Sequence, residues 1–294
     1  MHDELKQLPL VHKSSQGKVR DIYDLGDTLL IVTSDRISAF DVVFPNLIPD
    51  KGRILNGISA HFFRTTGEIL PNHFITDVVE EYPAELQAFK VYLEGRSMLV
   101  RKTRVIPFEC IVRGYISGSA WSEYKRTNTV GGMMIAEDMQ ESQKFSKALF
   151  TPSTKASEGH DVNISYREMM AHMDEWIARY LKDKSLELFH YAHELLKKEG
   201  ILLADTKFEF GSIGNQIILI DECLTPDSSR FWELESYQIG TSPKSFDKQY
   251  IRDYLIEIGW DKQSEPPELP EEVIMKTREK YLNVYKIITG KELT

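Results

Sequence analysis

Cysteine is scarce in this chain: Cys110 and Cys223 are the only two among 294 residues. Both lie in apolar, strand-like runs, so reduced packing residues of a cytoplasmic protein are expected in preference to a disulfide or zinc framework. Long hydrophobic runs are missing too. Nowhere do about 18 apolar residues occur together, and the opening MHDELKQLPLVHKSSQGK holds no apolar run of signal-peptide length, so neither a membrane span nor export by that route is expected. Positive charge is in deficit: 36 Lys and Arg against 45 Asp and Glu give a net charge of −9, the wrong sign for a protein that coats nucleic acid. A small anionic ligand stays compatible, because it needs only a local cluster of Arg and Lys. Internal repeats and low-complexity tracts are absent.

What is present is an ordinary soluble composition, 41% hydrophobic and 28% charged, at a length that permits one large domain or two lobes. VRDIYDL and TLLIVT flank Gly26-Asp27 as a hairpin, and DVVFPNLI reads as a further strand. Residues 57–66 predict a helix with Ile58, His61, Phe62 and Thr65 on one stripe, stopped by Gly67. NHFITDV and SMLVRKT read as strands around a short amphipathic helix, AELQAFKVYLE. The extended run VIPFECIVRGYIS carries Pro107, which predicts a linker or sheet edge in place of a central strand. Beyond it, helices are expected over 118–126, 165–182, 184–199, 246–258 and 271–289, with 127–163 as a long, functional loop. The pattern is α/β: a β-rich lobe over 1–111 and a mixed, helix-rich lobe over 112–294, with a cleft suited to a nucleotide or small molecule.

The most informative stretch is ADTKFEFGSIGNQIILIDECLTPDSSR, residues 204–230. Period-two alternation puts Asp205, Lys207 and Glu209 on one strand face and Thr206, Phe208 and Phe210 on the other. After the turn, an even hairpin register makes Asp221 a cross-strand or diagonal neighbour of Glu209, within roughly 8 Å. Two carboxylates that close need a cation between them. Mg²⁺, which takes one or two carboxylates plus phosphate and water, is one solution; an ion-pair ladder through Lys207 is the other. Three weaker features accompany it. QGKVRDIYD offers Gly17, Lys18 and Arg20 to a phosphate or simply turns at the surface. IVRGYISGSAW places Arg113 before a helix opening at Gly118-Ser119, an anion site or an ordinary cap. TPDSSRFW crowds Asp227, Ser228 and Arg230 after the second strand, as a site or a turn.

Taken in order, GKVRDIY, SDRISAFDVVFPNLIPDKG, ECIVRGYISGSAW, LLADTKFEFG and IDECLTPDSSRFW resemble blocks of the phosphoribosylaminoimidazole-succinocarboxamide synthase (SAICAR synthetase) family, across nearly the whole chain. The resemblance implies a two-lobed α/β (α+β) fold related to protein kinase and ATP-grasp architectures, with ATP in the cleft. It implies Gly17, Lys18 and Arg20 beside the nucleotide phosphates, Arg104, Val105 and Ile106 as a hinge passing the adenine, and Lys155 as a loop lysine near the nucleotide. Glu209 and Asp221 match Mg²⁺ carboxylates. Arg113, Ser119 and Arg230 match holders of a ribotide phosphate, Lys207 and Asp227 line the same pocket as catalytic residues, and Ser38, Asp41 and Lys51 fall where the family closes its site. In SEGHDVN, Gly159 separates Glu158 from His160, a departure that leaves Glu158 without an assigned partner. Resemblance to the longer form of the family implies a monomer.

The implied reaction joins carboxyaminoimidazole ribotide and L-aspartate through an amide while ATP becomes ADP and phosphate. Two rivals are a kinase-like phosphotransferase and a non-catalytic nucleotide-binding module. Against the first, the chain lacks H-R-D-x-x-x-x-N, D-F-G and G-x-G-x-x-G; against the second, both carboxylates and the surrounding cations are intact.

Overall fold

The computed structural model describes residues 13–40, 42–135, 138–155, 162–246 and 248–293. Asp41 and the Glu158–His160 segment therefore lie outside the described residues. The strands are β1 (Lys13–Gln16), β2 (Arg20–Asp24), β3 (Thr28–Thr33), β4 (Arg36–Ala39), β5 (Val42–Leu47), β6 (Phe74–Thr76), β7 (Ser97–Arg101), β8 (Arg104–Tyr115), β9 (Thr129–Val130), β10 (Met133–Met134), β11 (Lys144–Phe150), β12 (Ser153–Thr154), β13 (Ile201–Ile213), β14 (Gln216–Ile220) and β15 (Ser229–Glu233). The helices are α1 (Lys51–Thr65), α2 (Lys90–Leu93), α3 (Gly118–Thr127), α4 (Tyr166–Ala171), α5 (Glu175–Lys198), α6 (Gln249–Glu257) and α7 (Glu271–Thr289).

Two antiparallel sheets organise the chain. The first has the order β1-β2-β3-β7-β6. In the second, β11, β8, β13 and β14 lie side by side, β12 pairs with β8, and β15 pairs with β13. The 13-residue β13 is the spine: its first half pairs with β15, its second half with β14, and Asp205 to Ser212 pair with β8 on the other side. Phe208 and Phe210 are fully buried in a core shared with Leu188, Phe189 and Ala192 of α5, each contributing roughly 1.5–3 kcal/mol by burial. Asp205, Lys207 and Glu209 alternate with these side chains and so occupy the opposite face. The same core takes in Ile54, Phe62 and Phe63 of α1 and Tyr281 of α7, which ties the two sheets together.

Several expectations are corrected. β8 is an interior strand, and Pro107 is no edge marker: the β8–β13 register shifts between Glu209 and Gly211, beside the proline, so the missing N–H falls at an irregularity. The expected loop 127–163 contains β11, paired with β8 through Leu149 and Phe150. Its sequence, KFSKALF, alternates too poorly to announce a strand. The expected helices 165–182 and 184–199 are instead α4 and the continuous 24-residue α5; the break falls before Glu175, because nothing around Asp183 interrupts the turns. The predicted helix 57–66 starts earlier, at Lys51, and AELQAFKVYLE is a 3-10 turn, Ala84–Phe89, followed by the four-residue α2. A division at 111/112 would run through the middle of β8. By sheet membership we propose the division at 102–103.

Candidate functional site

The polar face of β13 carries a line of charge; one group of residues assembles at each end of it, with Lys207 between them, and a third lies beside it in the loop between β14 and β15. At its N-terminal end Asp205 is the hub. Arg230 Nη1 donates to Asp205 Oδ2 and to Ser117 Oγ (2.6 Å), Ser117 Oγ donates to the same carboxylate (3.1 Å), and Arg113 Nη1 stands 4.0 Å away. Arg113 also donates through Nε to Thr151 Oγ1 (3.0 Å) and through Nη2 to Ser119 Oγ (3.3 Å). Register explains the grouping, since Asp205 lies opposite both Arg113 on β8 and Arg230 on β15. Both guanidiniums therefore meet at the start of α3, where free backbone amides favour an anion. Gly118 has φ +55, and a Cβ there would come within 2.6 Å of Arg230 Nη2, so only glycine lets the guanidinium sit against this helix start. Ser119 also lines an adjoining cavity of about 640 Å³ with Glu123, Arg126, Gly131 and Asn163.

In the middle, Lys207 donates to Glu109, whose other oxygen accepts from Ser153 Oγ (3.2 Å). At the far end Glu209 is paired with the exposed Lys155. Asp221 is paired with Arg20 Nη2 at 2.7 Å, and Glu222 lies 3.2 Å from the same nitrogen while accepting from Thr225 Oγ1. The register opposite Glu209 is Ile220, one short of Asp221. Asp221 instead leaves the strand with φ +70, a left-handed conformation that Asp tolerates and that redirects its side chain away from the strand's alternation. The two carboxylates still feel each other. Burial, then the Asp221 charge, pushes Glu209 up to about 6, whereas Asp221 is held at about 2 because Arg20 and Lys155 outweigh its own burial. Burial would lower Lys207, but Glu109 and Glu209 prevail and hold it protonated.

A third group closes around Asp227. The fully buried Lys51 Nζ lies 2.8 Å from Asp227 Oδ2, Lys248 Nζ lies 3.1 Å from the same oxygen, and Tyr281 donates to Oδ1 at 2.9 Å. Burial lowers Lys51, while the two lysines and Tyr281 outweigh burial to hold Asp227 far below the usual carboxylate range. Lys51 opens α1 and Tyr281 belongs to α7, so this group fastens both helices to the loop after Asp221.

The remaining expected residues are less tightly joined. Lys18 is exposed in the turn before β2, and Arg36 holds the Gly17 and Lys18 carbonyls at 3.2 and 3.1 Å. Arg20, expected to point with Lys18 at one anion, pairs with Asp221 and Glu222. Arg104, Val105 and Ile106 line a groove of about 550 Å³ with Trp176, Ser212 and Asn215. Ser38 sits in the β4–β5 pair; no described bond ties its side chain to the three groups. Sequence reasoning missed Glu109, Lys248, Ser117, Thr151 and Arg36. Glu109 was within reach, because Glu109, Ile111 and Arg113 alternate on β8 as Asp205, Lys207 and Glu209 do on β13. Lys248 gave no local signal.

Residues 13–267 match the model of the family described as SAICAR synthetase. The chain belongs to that family. It is 48% identical over 290 residues to the phosphoribosylaminoimidazole-succinocarboxamide synthase of Thermodesulfovibrio yellowstonii, covering 99% of this chain and 98% of that one. It is 51% identical over 284 residues to that of Geotalea uraniireducens, covering 96% of each. Among solved structures, the SAICAR synthase of Saccharomyces cerevisiae complexed with SAICAR superposes with a TM-score of 0.90 at 40% identity over 98% of both chains. A SAICAR synthetase in complex with ADP shares the fold at a TM-score of 0.71 and 24% identity. As a member of the SAICAR synthetase family the chain is an enzyme, a ligase of purine biosynthesis, and the kinase-like reading is not favoured.

Proposed function

We propose that this SAICAR synthetase joins carboxyaminoimidazole ribotide to L-aspartate at the expense of ATP, with the ribotide laid along β13. The observation that carries this reading is the charge order on one strand face. A two-arginine anion cradle at Asp205 and a buried carboxylate pair at Glu209 lie four residues apart, about 13 Å at strand spacing, with Lys207 between them. Arg113, Arg230, Ser119 and the α3 amides hold the ribotide phosphate by charge-assisted bonds; the phosphate takes over the guanidinium bonds that Asp205 holds in the ligand-free chain. The substrate carboxylate then reaches Lys207, which neutralises its charge while an oxygen attacks the γ-phosphorus of ATP. The bond to ADP breaks and an acyl phosphate forms. The aspartate amine attacks that carbonyl, phosphate leaves with the C–O bond electrons, and the amine proton passes to solvent or a nearby carboxylate. No enzyme nucleophile is needed; the residues supply positioning and charge neutralisation.

Glu209 and Asp221 fit Mg²⁺. Among the described residues no group of three or more His, Cys, Asp or Glu could hold a metal, but two buried oxygen donors are what Mg²⁺ uses when phosphate and water complete its shell. When bound it would neutralise the β- and γ-phosphates. In its absence Lys155 and Arg20 provide the counter-charge. Arg20 and Lys18 stand nearest the phosphates in this reading, with the adenine towards Arg104–Ile106. Two lysines against one carboxylate leave excess positive charge at Asp227, and we assign Lys248 to a substrate carboxylate, with the fully buried Lys51 holding Asp227 in place. The chain would act as a monomer.

The test is an assay with ATP, Mg²⁺, ribotide and aspartate, with glutamate in place of aspartate as control. Phosphate release that requires aspartate and ribotide together is expected. A stable phosphorylated ribotide that accumulates over many turnovers without aspartate, in place of a labile acyl phosphate, would return the kinase-like reading.

A further inference from the structure

Beside the carboxylate end lies a small space lined by Val19, Arg20, Asn56, Met98, Asp221 and Glu222 among others, with about 10 Å³ available to the centre of a water-sized sphere. Two buried polar atoms on residues that line it have no protein partner, and they are complementary: Arg20 Nη1, a donor, and Asn56 Oδ1, an acceptor. The orientation of Asn56 is set by chemistry, because its Nδ2 donates to two carbonyls, Gly95 O at 3.0 Å and Ser97 O at 3.1 Å. The oxygen must therefore be the atom left over. Arg20 makes both of its carboxylate contacts through Nη2 alone, so nothing in the described protein fixes the other arm of the guanidinium.

We infer that a single buried water bridges Arg20 Nη1 to Asn56 Oδ1 and makes Asn56 a positioning residue for Arg20. The space matches the smallest that holds one water, about 10–15 Å³. A cation is excluded by the guanidinium donor, and an anion by Asp221 and Glu222, which leaves a neutral molecule that accepts from one side and donates to the other. The relay runs from the Gly95 and Ser97 carbonyls through Asn56 on α1 and the water to Arg20, and thence to Asp221. Its functional consequence rests on the reading of Asp221 as a metal carboxylate; the water site does not.

A high-resolution crystal structure of the ligand-free protein tests the site directly. A density peak within hydrogen-bond distance of both atoms is expected; no peak, or Arg20 bonded directly to Asn56, overturns the proposal. In solution, the ¹⁵N resonances of the two Arg20 Nη atoms should be resolved by slow rotation in the native protein. The exchange of the two Nη atoms should be faster in Asn56→Leu, which offers the water no acceptor, although Asp221 and Glu222 still hold Nη2. The Mg²⁺ and ATP concentrations needed for half-maximal activity should rise about tenfold in Asn56→Leu, the size usual for partners behind a metal ligand, with kcat changed less. An unchanged rate of Nη exchange in Asn56→Leu overturns the relay. If Asp221→Asn leaves the Mg²⁺ requirement untouched, the metal assignment fails instead, while density and line shapes still decide the water.

Discussion

The two ends of β13 are electrostatic opposites. At Asp205 two arginines surround one carboxylate, so the surplus is positive; at the other end three carboxylates, Glu209, Asp221 and Glu222, face Lys155 and Arg20, so the surplus is negative and available to a metal. Each end is already satisfied in the ligand-free chain by a side chain that a ligand can replace: a phosphate replaces Asp205, a cation replaces Lys155. Such internal counter-ions answer the cost of burying charge while keeping the site organised for exchange. Lys207 belongs to neither end and is where the two meet. Lys207→Ala should therefore have the largest effect, lowering kcat by about 10²–10³ or more, as measured in the complete assay. A normal kcat would end the assignment.

Asp227 tests the wall of the site, away from both ends. Asp227→Asn leaves Lys51, fully buried, and Lys248 facing a neutral amide. Removing one partner of a buried pair costs about 3–5 kcal/mol, to be read by denaturant unfolding, and α1 and α7 should loosen together because Lys51 and Tyr281 share that carboxylate. A loss below about 1 kcal/mol would mean that the pair behaves as a surface bridge.

The comparison of ends sharpens with Arg230→Lys set against Glu209→Gln. Lysine keeps the charge but loses the second guanidinium nitrogen, Nη2, which lies against Gly118 at the start of α3, and with it a two-pronged grip on phosphate, so the KM for ribotide should rise about tenfold with kcat little changed. Glu209→Gln should act on kcat and on the Mg²⁺ requirement while sparing ribotide affinity. Matching KM changes in both variants would erase the distinction.

How much of this was legible beforehand follows from how local each signal is. Alternation in ADTKFEFG put Asp205, Lys207 and Glu209 on one face without any structure, because a strand's pleat is a property of the strand alone. What each charge pairs with was not legible. Asp205 meets Arg113 and Arg230 only through the registers of β8 and β15, and Glu109 meets Lys207 by the same route. Lys51 and Asp227 are 176 positions apart, and no short window contains both. The even register expected for Glu209 and Asp221 failed by one residue; the left-handed Asp221 backbone turns that residue out of the strand's alternation. Secondary structure failed where composition and tertiary context disagree: the polar KFSKALF is a strand because β8 offers it an edge, and Pro107 sits inside a sheet because the register shifts beside it.

The smallest predicted effect lies within the carboxylate end, between Glu209 and Asp221 themselves. Glu209 has its folded value raised from 4.5 to about 6, so the fold favours its protonated form. That contribution is complete below 4.5 and is lost as pH rises through about 6. Asp221 has the opposite sign: its value is lowered from 3.8 to about 2, so its contribution is present above 3.8 and is lost as pH falls through about 2. Between pH 4.5 and 6 the ligand-free protein should therefore lose at most about 2 kcal/mol on Glu209's account, seen as a falling Tm that Glu209→Gln lacks. Mg²⁺ should reverse that slope, since a cation on the pair favours the ionised form. Thermal unfolding from pH 4.5 to 7, with and without Mg²⁺, checks both signs; a slope that Mg²⁺ leaves unchanged would place the cation away from Glu209.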